Sequence, residues 1–121
     1  MRKAVLFSVD ESIIELVRCG LGDAWRLDQC SNPSDARTFL VRSGVGIVVI
    51  DDAEIEEVAR GWVLDRVRRW ASDALIAYIA SKHSEEIERS VRSNGVQYYL
   101  SRPLDRELTI RVLRSFMSAA R

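Results

Sequence analysis

The most β-prone stretch of the sequence is Gly44-Val45-Gly46-Ile47-Val48-Val49-Ile50, which runs directly into Asp51-Asp52. Branched aliphatic residues in an unbroken run are typical of a strand that is covered on both faces. We therefore expect this stretch to be the central strand of a sheet, with two acids at its carboxyl end.

Four other strands and five helices are predicted from hydrophobic spacing and turn residues. The strands are Ala4–Val9, Trp25–Cys30, Leu75–Ala80 and Val96–Ser101, and the alternation in Trp25–Cys30 indicates an edge strand. The helices are predicted to start at Ser12, after the turn Ser31–Ser34, at Gly61, at Ser84 and at Asp105, with Ser12, Ser84 and Asp105 as N-terminal caps. Residues 52–60 form either a long acidic loop or an extra turn of helix.

Strands and helices alternate along the chain with short connections, which forces parallel strands joined by right-handed crossovers. The predicted fold class is α/β, a doubly wound five-stranded parallel sheet with five helices, in a single domain spanning residues 1–121. Ligands of such sheets bind beyond the carboxyl ends of the strands. Asp10, Asp51, Ser81 and Arg102 are all predicted at those ends.

Composition excludes several classes of function. The 121 residues carry 18 Lys+Arg and 18 Asp+Glu, so no basic field favours direct binding of nucleic acid. The apolar stretch Ala4–Val9 near the N-terminus is too short for a signal peptide or a membrane span, which predicts a cytoplasmic protein with reduced thiols. Cys19, Cys30 and His83 lack the spacing of a zinc site. Because no glycine-rich phosphate loop follows the first strand, we expect no nucleotide- or flavin-dependent enzyme.

The acids at the strand ends predict a cation. Asp10 and Asp51 would lie at one edge of the sheet, where two carboxylates repel each other unless a cation or a proton relieves them. Oxygen ligands favour Mg²⁺, which would let a carboxylate act as a nucleophile toward a phosphoryl group. Arg102, after the last predicted strand, would place a fixed positive charge at the same edge.

The sequence resembles the receiver domain of two-component response regulators over nearly its whole length. The resemblance rests on the apolar strand ending at Asp51, on the helix start Gly61-Trp62-Val63-Leu64-Asp65-Arg66-Val67-Arg68, and on Asn94-Gly95-Val96-Gln97-Tyr98-Tyr99-Leu100-Ser101-Arg102-Pro103-Leu104. It implies that Asp51 accepts a phosphoryl group from a sensor histidine kinase or a phosphotransfer protein, with Asp52 as the second choice. It also implies a cis Arg102–Pro103 bond and a switch aromatic at Tyr99.

The same resemblance implies a ligand set for Mg²⁺. The ligands would be Asp10, Asp51 and the backbone carbonyl of Ala53, and Glu11 at the start of the first helix is a further candidate. Val9 stands where receivers carry another acid, which weakens the predicted site.

Two other site positions also depart from the family pattern. Arg102 replaces a near-invariant lysine, and Ala80-Ser81 stands where a hydroxyl residue normally ends the fourth strand. Either Ser81 serves from a shifted position, or no hydroxyl contacts the phosphoryl group. Together these departures point towards an atypical or partly degenerate member of the family that the chain resembles.

Two functions remain open from the sequence. In the first, phosphorylation of Asp51 switches a surface formed by residues 84–94 and 96–121, through which two copies pair as a homodimer or bind an output domain or partner. In the second, the chain is a degenerate receiver that acts as a phosphorylation-independent interaction and dimerisation module. Neither requires an enzyme, a membrane or direct contact with nucleic acid.

Overall fold

A computed structural model of the protein describes residues 2–31, 35–41 and 44–119. Within these ranges, five parallel strands form one sheet, namely β1 (Arg2–Phe7), β2 (Trp25–Cys30), β3 (Val45–Asp51), β4 (Leu75–Ala80) and β5 (Tyr98–Ser101). Five α-helices alternate with them, namely α1 (Glu11–Leu21), α2 (Ala36–Leu40), α3 (Arg60–Trp70), α4 (Glu85–Ser93) and α5 (Arg106–Ala119). The strand order β2-β1-β3-β4-β5 confirms the doubly wound sheet, with β3 in the centre and β2 at an edge.

The central strand is buried on both faces because helices cover both sides of the sheet. Val48 and Ile50 point into a core shared with α2, α3 and α4. Ile47 and Val49 point the other way, into a core shared with α1 and α5. Since successive strand residues face opposite sides, an unbroken aliphatic run supplies both cores. Each such side chain contributes about 1.5–3 kcal/mol by its burial.

The caps of the helices follow the predictions at two of three positions. Ser84 accepts a hydrogen bond from the Ile87 N–H and caps α4, and Asp105 accepts one from the Leu108 N–H ahead of α5. The prediction that Ser12 caps α1 is wrong. Asp10 is the cap, and its Oδ1 accepts hydrogen bonds from both the N–H and the hydroxyl of Ser12.

The segment between β3 and α3 is neither a plain loop nor a continuous helix. It contains two short 3-10 helices, Asp52–Glu54 and Glu57–Ala59, and α3 begins one residue before the predicted Gly61. The Arg102–Pro103 bond is cis, as predicted. Most of the predicted turn at Ser31–Ser34 lies outside the described residues. No helix in the described part of the chain is long and apolar enough to cross a membrane.

Candidate functional site

The carboxyl edge of the sheet brings together the four side chains that the sequence placed there. Arg102, one residue after β5, lies between Asp51 at the end of β3 and Asp10 ahead of α1. The Ser81 hydroxyl, one residue after β4, is 3.3 Å from Nη1 of Arg102. The parallel topology therefore gathers two acids, one guanidinium and one hydroxyl into a single site.

Asp51 is held by four hydrogen bonds. Nη1 of Arg102 is 2.6 Å from its Oδ1, and Nη2 is 2.7 Å from its Oδ2, so the guanidinium binds both oxygens as a fork. The Ser8 hydroxyl donates to Oδ2 at 2.7 Å, and the Ala53 N–H donates to Oδ1 at 3.1 Å. Only 2% of the Asp51 side chain is exposed.

The ionised form of Asp51 is favoured in spite of this burial. Burial alone would raise the pKa of Asp51, but the hydrogen bonds from Arg102, Ser8 and the Ala53 N–H hold the pKa below its usual value. The pKa of Arg102 is raised, and the largest cause is hydrogen bonding to Asp51. Both groups are therefore charged at neutral pH, and each stabilises the charge of the other.

Little space is left beside the Asp51 carboxylate. The cavity that it lines with Ser8, Glu54 and Ile55 measures about 10 Å³, which is roughly the room of one water molecule. A much larger cleft of about 590 Å³ lies beside Asp10 and Arg102, but Asp51 is not among its lining residues. The guanidinium of Arg102 thus stands between Asp51 and the open cleft.

Two of the side chains predicted to bind Mg²⁺, Asp10 and Asp51, lie on either side of Arg102. The positive charge between Asp10 and Asp51 is already supplied by Nη2 of Arg102, which is 3.4 Å from Asp10 and 2.7 Å from Asp51. Glu11 is exposed on the first turn of α1, and Val9, which replaces an acid, is 47% exposed. Among the described residues, no group of three or more His, Cys, Asp or Glu side chains could hold a metal ion.

Asp52 belongs to a second hydrogen-bond network on the other side of β3. Its Oδ1 accepts hydrogen bonds from the N–H and the hydroxyl of Ser81, at 2.7 and 2.8 Å. Its Oδ2 accepts one from the Tyr78 hydroxyl at 2.7 Å, and Arg60 donates to that hydroxyl at 2.9 Å. The second choice for a phosphoacceptor is therefore also a buried carboxylate with hydrogen-bond donors on both oxygens.

Sequence reasoning missed Ser8 and Tyr78. Ser8 is 3% exposed and follows β1, whose register with β3 pairs Phe7 with Ile50 and so sets Ser8 beside Asp51. Both residues place a hydroxyl within or directly after an apolar strand. That pattern could have identified them, because a buried hydroxyl needs a hydrogen-bond partner.

Comparisons of the sequence with family models and with curated proteins give no match. The structure, in contrast, is similar to solved structures. A response regulator from Thermotoga maritima superposes with a TM-score of 0.83 at 17% identity, over 98% of both chains. Chemotaxis response regulator CheY4 of Vibrio cholerae gives 0.76 at 17% identity, over 96% of this chain and 98% of that one.

A third similar structure comes from a protein with a different name. A putative pilus assembly protein (cpaE) from Burkholderia thailandensis gives a TM-score of 0.79 at 17% identity, over 98% of this chain and 99% of that chain. Taken together, these similarities show that the chain has the receiver fold of response regulators, as the sequence predicted.

Proposed function

We propose that this protein is a non-enzymatic signalling module with the receiver fold, which works through protein contacts and does not need phosphorylation of Asp51. One observation carries the proposal, namely the fork by which Arg102 binds both oxygens of the Asp51 carboxylate. A carboxylate can attack phosphorus only through a free oxygen lone pair on an accessible side. Here the accessible side is covered by the guanidinium.

The strength of this pair supports the phosphorylation-independent function. Separating a buried ion pair costs about 3–5 kcal/mol, and because a quarter of the Arg102 side chain is exposed, the lower end, about 3 kcal/mol, applies here. If Asp51 had to leave Arg102 before each transfer, the rate would fall by roughly two orders of magnitude. The exposed acids Glu54, Glu56 and Glu57 nearby would further disfavour an approaching phosphate.

The contact surface in this proposal is the face formed by α4, β5 and α5. It exposes two large apolar side chains, Leu108 at 46% and Tyr98 at 36%. Its exposed charges have both signs, which suits a self-complementary pairing of two copies. They include the acids Glu85, Glu86 and Glu107 and the bases Arg89, Arg92, Arg106, Arg111 and Arg114. We propose this face for a homodimer or for an output partner.

A phosphoacceptor switch is the second candidate, and the grouping of Asp10, Asp51, Ser81 and Arg102 at one edge favours it. In that case the sensor histidine kinase or phosphotransfer protein would supply the phosphoryl group. An Asp51 oxygen would form the new bond to phosphorus while the bond to the donor breaks. Arg102 would then pair with the phosphoryl oxygens in place of the carboxylate.

Intact-mass spectrometry after incubation with acetyl phosphate, with and without Mg²⁺, separates the two candidates. We expect no adduct of about 80 Da on the wild type. Arg102→Lys is the informative comparison, because a single ammonium cannot bind both oxygens as a fork and leaves one more accessible. A Mg²⁺-dependent adduct on the wild type that is lost in Asp51→Asn would refute the proposal and establish the switch.

The contact surface has its own test, sedimentation velocity over a range of protein concentrations. We expect the same self-association before and after treatment with acetyl phosphate. Leu108→Glu should weaken it, whereas Val58→Glu, at a 91% exposed position ahead of α3, should not. Association that appears only after phosphorylation, or that both variants weaken equally, would contradict this part of the proposal.

A further inference from the structure

The side chains around Asp52 form a network that the proposed function does not use. Asp52 is 9% exposed, and both of its carboxylate oxygens are occupied by donors from the end of β4. A buried carboxylate is stable only when its oxygens are hydrogen-bonded, so these donors and this acid require one another. Asp52 thereby ties the end of β3 to the connection between β4 and α4.

Both donors of Ser81 are already hydrogen-bonded to Asp52. The single hydroxyl proton of Ser81 points to Oδ1 of Asp52 at 2.8 Å, and the Ser81 N–H points to the same oxygen. The hydroxyl oxygen of Ser81 is left as an acceptor, 3.3 Å from Nη1 of Arg102. These donors are therefore not available to an external anion at this edge of the sheet, because the Asp52 carboxylate already accepts their hydrogen bonds.

The Tyr78 hydroxyl is the third donor to Asp52. The Tyr78 side chain is fully buried, and its hydroxyl lies between Asp52 and the Arg60 guanidinium. Burial and the hydrogen bond to Asp52 raise the pKa of Tyr78, so it keeps its proton and remains a donor. The positive charge of Arg60, reached through the Tyr78 hydroxyl, partly offsets the negative charge of Asp52.

The network continues to the surface through two aromatic side chains. The Tyr99 ring stacks on the Tyr78 ring with their centroids 6.2 Å apart and an interplanar angle of 7°. The Tyr99 hydroxyl is 3.0 Å from Nδ1 of His83, which lies two residues after Ser81 on the β4–α4 connection. Tyr99 belongs to β5, within the face formed by α4, β5 and α5, and His83 lies beside it ahead of α4.

We propose that Asp52 is a positioning residue that acts as an internal anion. It binds the Tyr78 hydroxyl and both donors of Ser81, and so fixes the β4–α4 connection, Tyr99 and His83 in one arrangement without a phosphoryl group. The functional meaning of that arrangement rests on the proposed function, in which the neighbouring face makes the protein contacts. The positioning itself is independent of it, because it depends only on the contacts of Asp52.

The test uses the one histidine of the chain as a spectroscopic probe. NMR at one fixed pH gives the His83 imidazole signals, and hydrogen exchange gives the protection of the Ser81 amide. In Asp52→Ala we expect Ser81 to exchange at least about tenfold faster, because a hydrogen bond to a charged group is lost, and the His83 signals to move. Asp52→Asn, which conserves the shape, should move the same signals if the alanine variant does not fold. Tyr78→Phe should give a smaller change, since it removes one donor and keeps the stacked ring.

Val49→Ala is the matched control, because it destabilises the opposite core and touches none of these groups. We expect it to leave the His83 signals and the Ser81 protection as in the wild type. His83 signals that stay unchanged in both Asp52 variants, or that move equally in Val49→Ala, would overturn the proposal. The mass measurement with acetyl phosphate is separate, so either proposal can fail while the other stands.

Discussion

Replacing Arg102 by methionine should show how strongly the Asp51 fork contributes to stability. Arg102→Met leaves the Asp51 carboxylate, 2% exposed, with hydrogen bonds from Ser8 and the Ala53 N–H alone. Removing one partner of a buried pair is destabilising by about 3–5 kcal/mol. Because a quarter of the Arg102 side chain is exposed, we expect a value near the lower end, about 3 kcal/mol.

A double-mutant cycle isolates the interaction itself. Asp51→Asn should cost only about 1 kcal/mol, since the partly exposed guanidinium keeps water and Asp10 as partners. The double variant Asp51→Asn/Arg102→Met should be no less stable than Arg102→Met alone, which gives a coupling free energy of at least about 1 kcal/mol.

Urea unfolding, followed by tryptophan fluorescence, measures each corner of this cycle. The Arg102→Met midpoint should fall by roughly 1–2 M, given the usual denaturant dependence of small domains. The variant should still fold, because domains of this size have about 5–15 kcal/mol of stability. A coupling free energy below about 0.5 kcal/mol, the value typical of exposed pairs, would refute the view of Asp51 as a locked carboxylate.

Two further predictions concern pH and helix packing. The lowered pKa of Asp51 means that its contribution to stability is complete above the ordinary aspartate value of about 3.9 and is lost as the pH falls through the lower folded value. The difference in unfolding free energy between wild type and Asp51→Asn should therefore be constant from pH 7 to about pH 5 and shrink below pH 4. A difference that grows below pH 4 would contradict the lowered pKa of Asp51. Gly20→Ala should destabilise by about 1–3 kcal/mol in thermal unfolding, because its Cβ would lie 2.7 Å from a Leu113 methyl at the contact of α1 with α5. Gly61→Ala, with no atom within 4 Å of its Cβ, should instead stabilise by about 0.5 kcal/mol, and equal effects of the two changes would contradict this account.

The sheet could be predicted from the sequence because its signals are local. Trp25–Cys30 and Leu75–Ala80 form strands with the predicted bounds, since alternation in the first and an apolar run in the second end at clear turn residues. The start of α1 was misplaced because Asp10 and Ser12 are both good capping residues, and only the chain geometry shows which side chain accepts the hydrogen bonds.

The topology predicts which residues meet at the site, but it does not predict the hydrogen bonds between them. Parallel strands place Asp51 and Arg102 at one edge whatever their side chains do there. That Arg102 binds both oxygens of Asp51 depends on distances of a few tenths of an ångström, which no spacing rule contains. Asp51 and Asp52 also face different neighbours, because successive residues at a strand end point to opposite sides. One therefore meets Ser8 and Arg102, while the other meets Tyr78 and Ser81.

Binding of beryllofluoride, a stable analogue of a phosphoryl group on aspartate, tests the central claim most directly. A ¹⁹F NMR spectrum of the wild type with Mg²⁺ and beryllofluoride does not depend on the choice of phosphoryl donor. We predict the signals of the free fluoride species alone, because Arg102 occupies both oxygens of Asp51. A bound signal in the wild type that disappears in Asp51→Asn would contradict the account and show that Asp51 is open to a phosphoryl group.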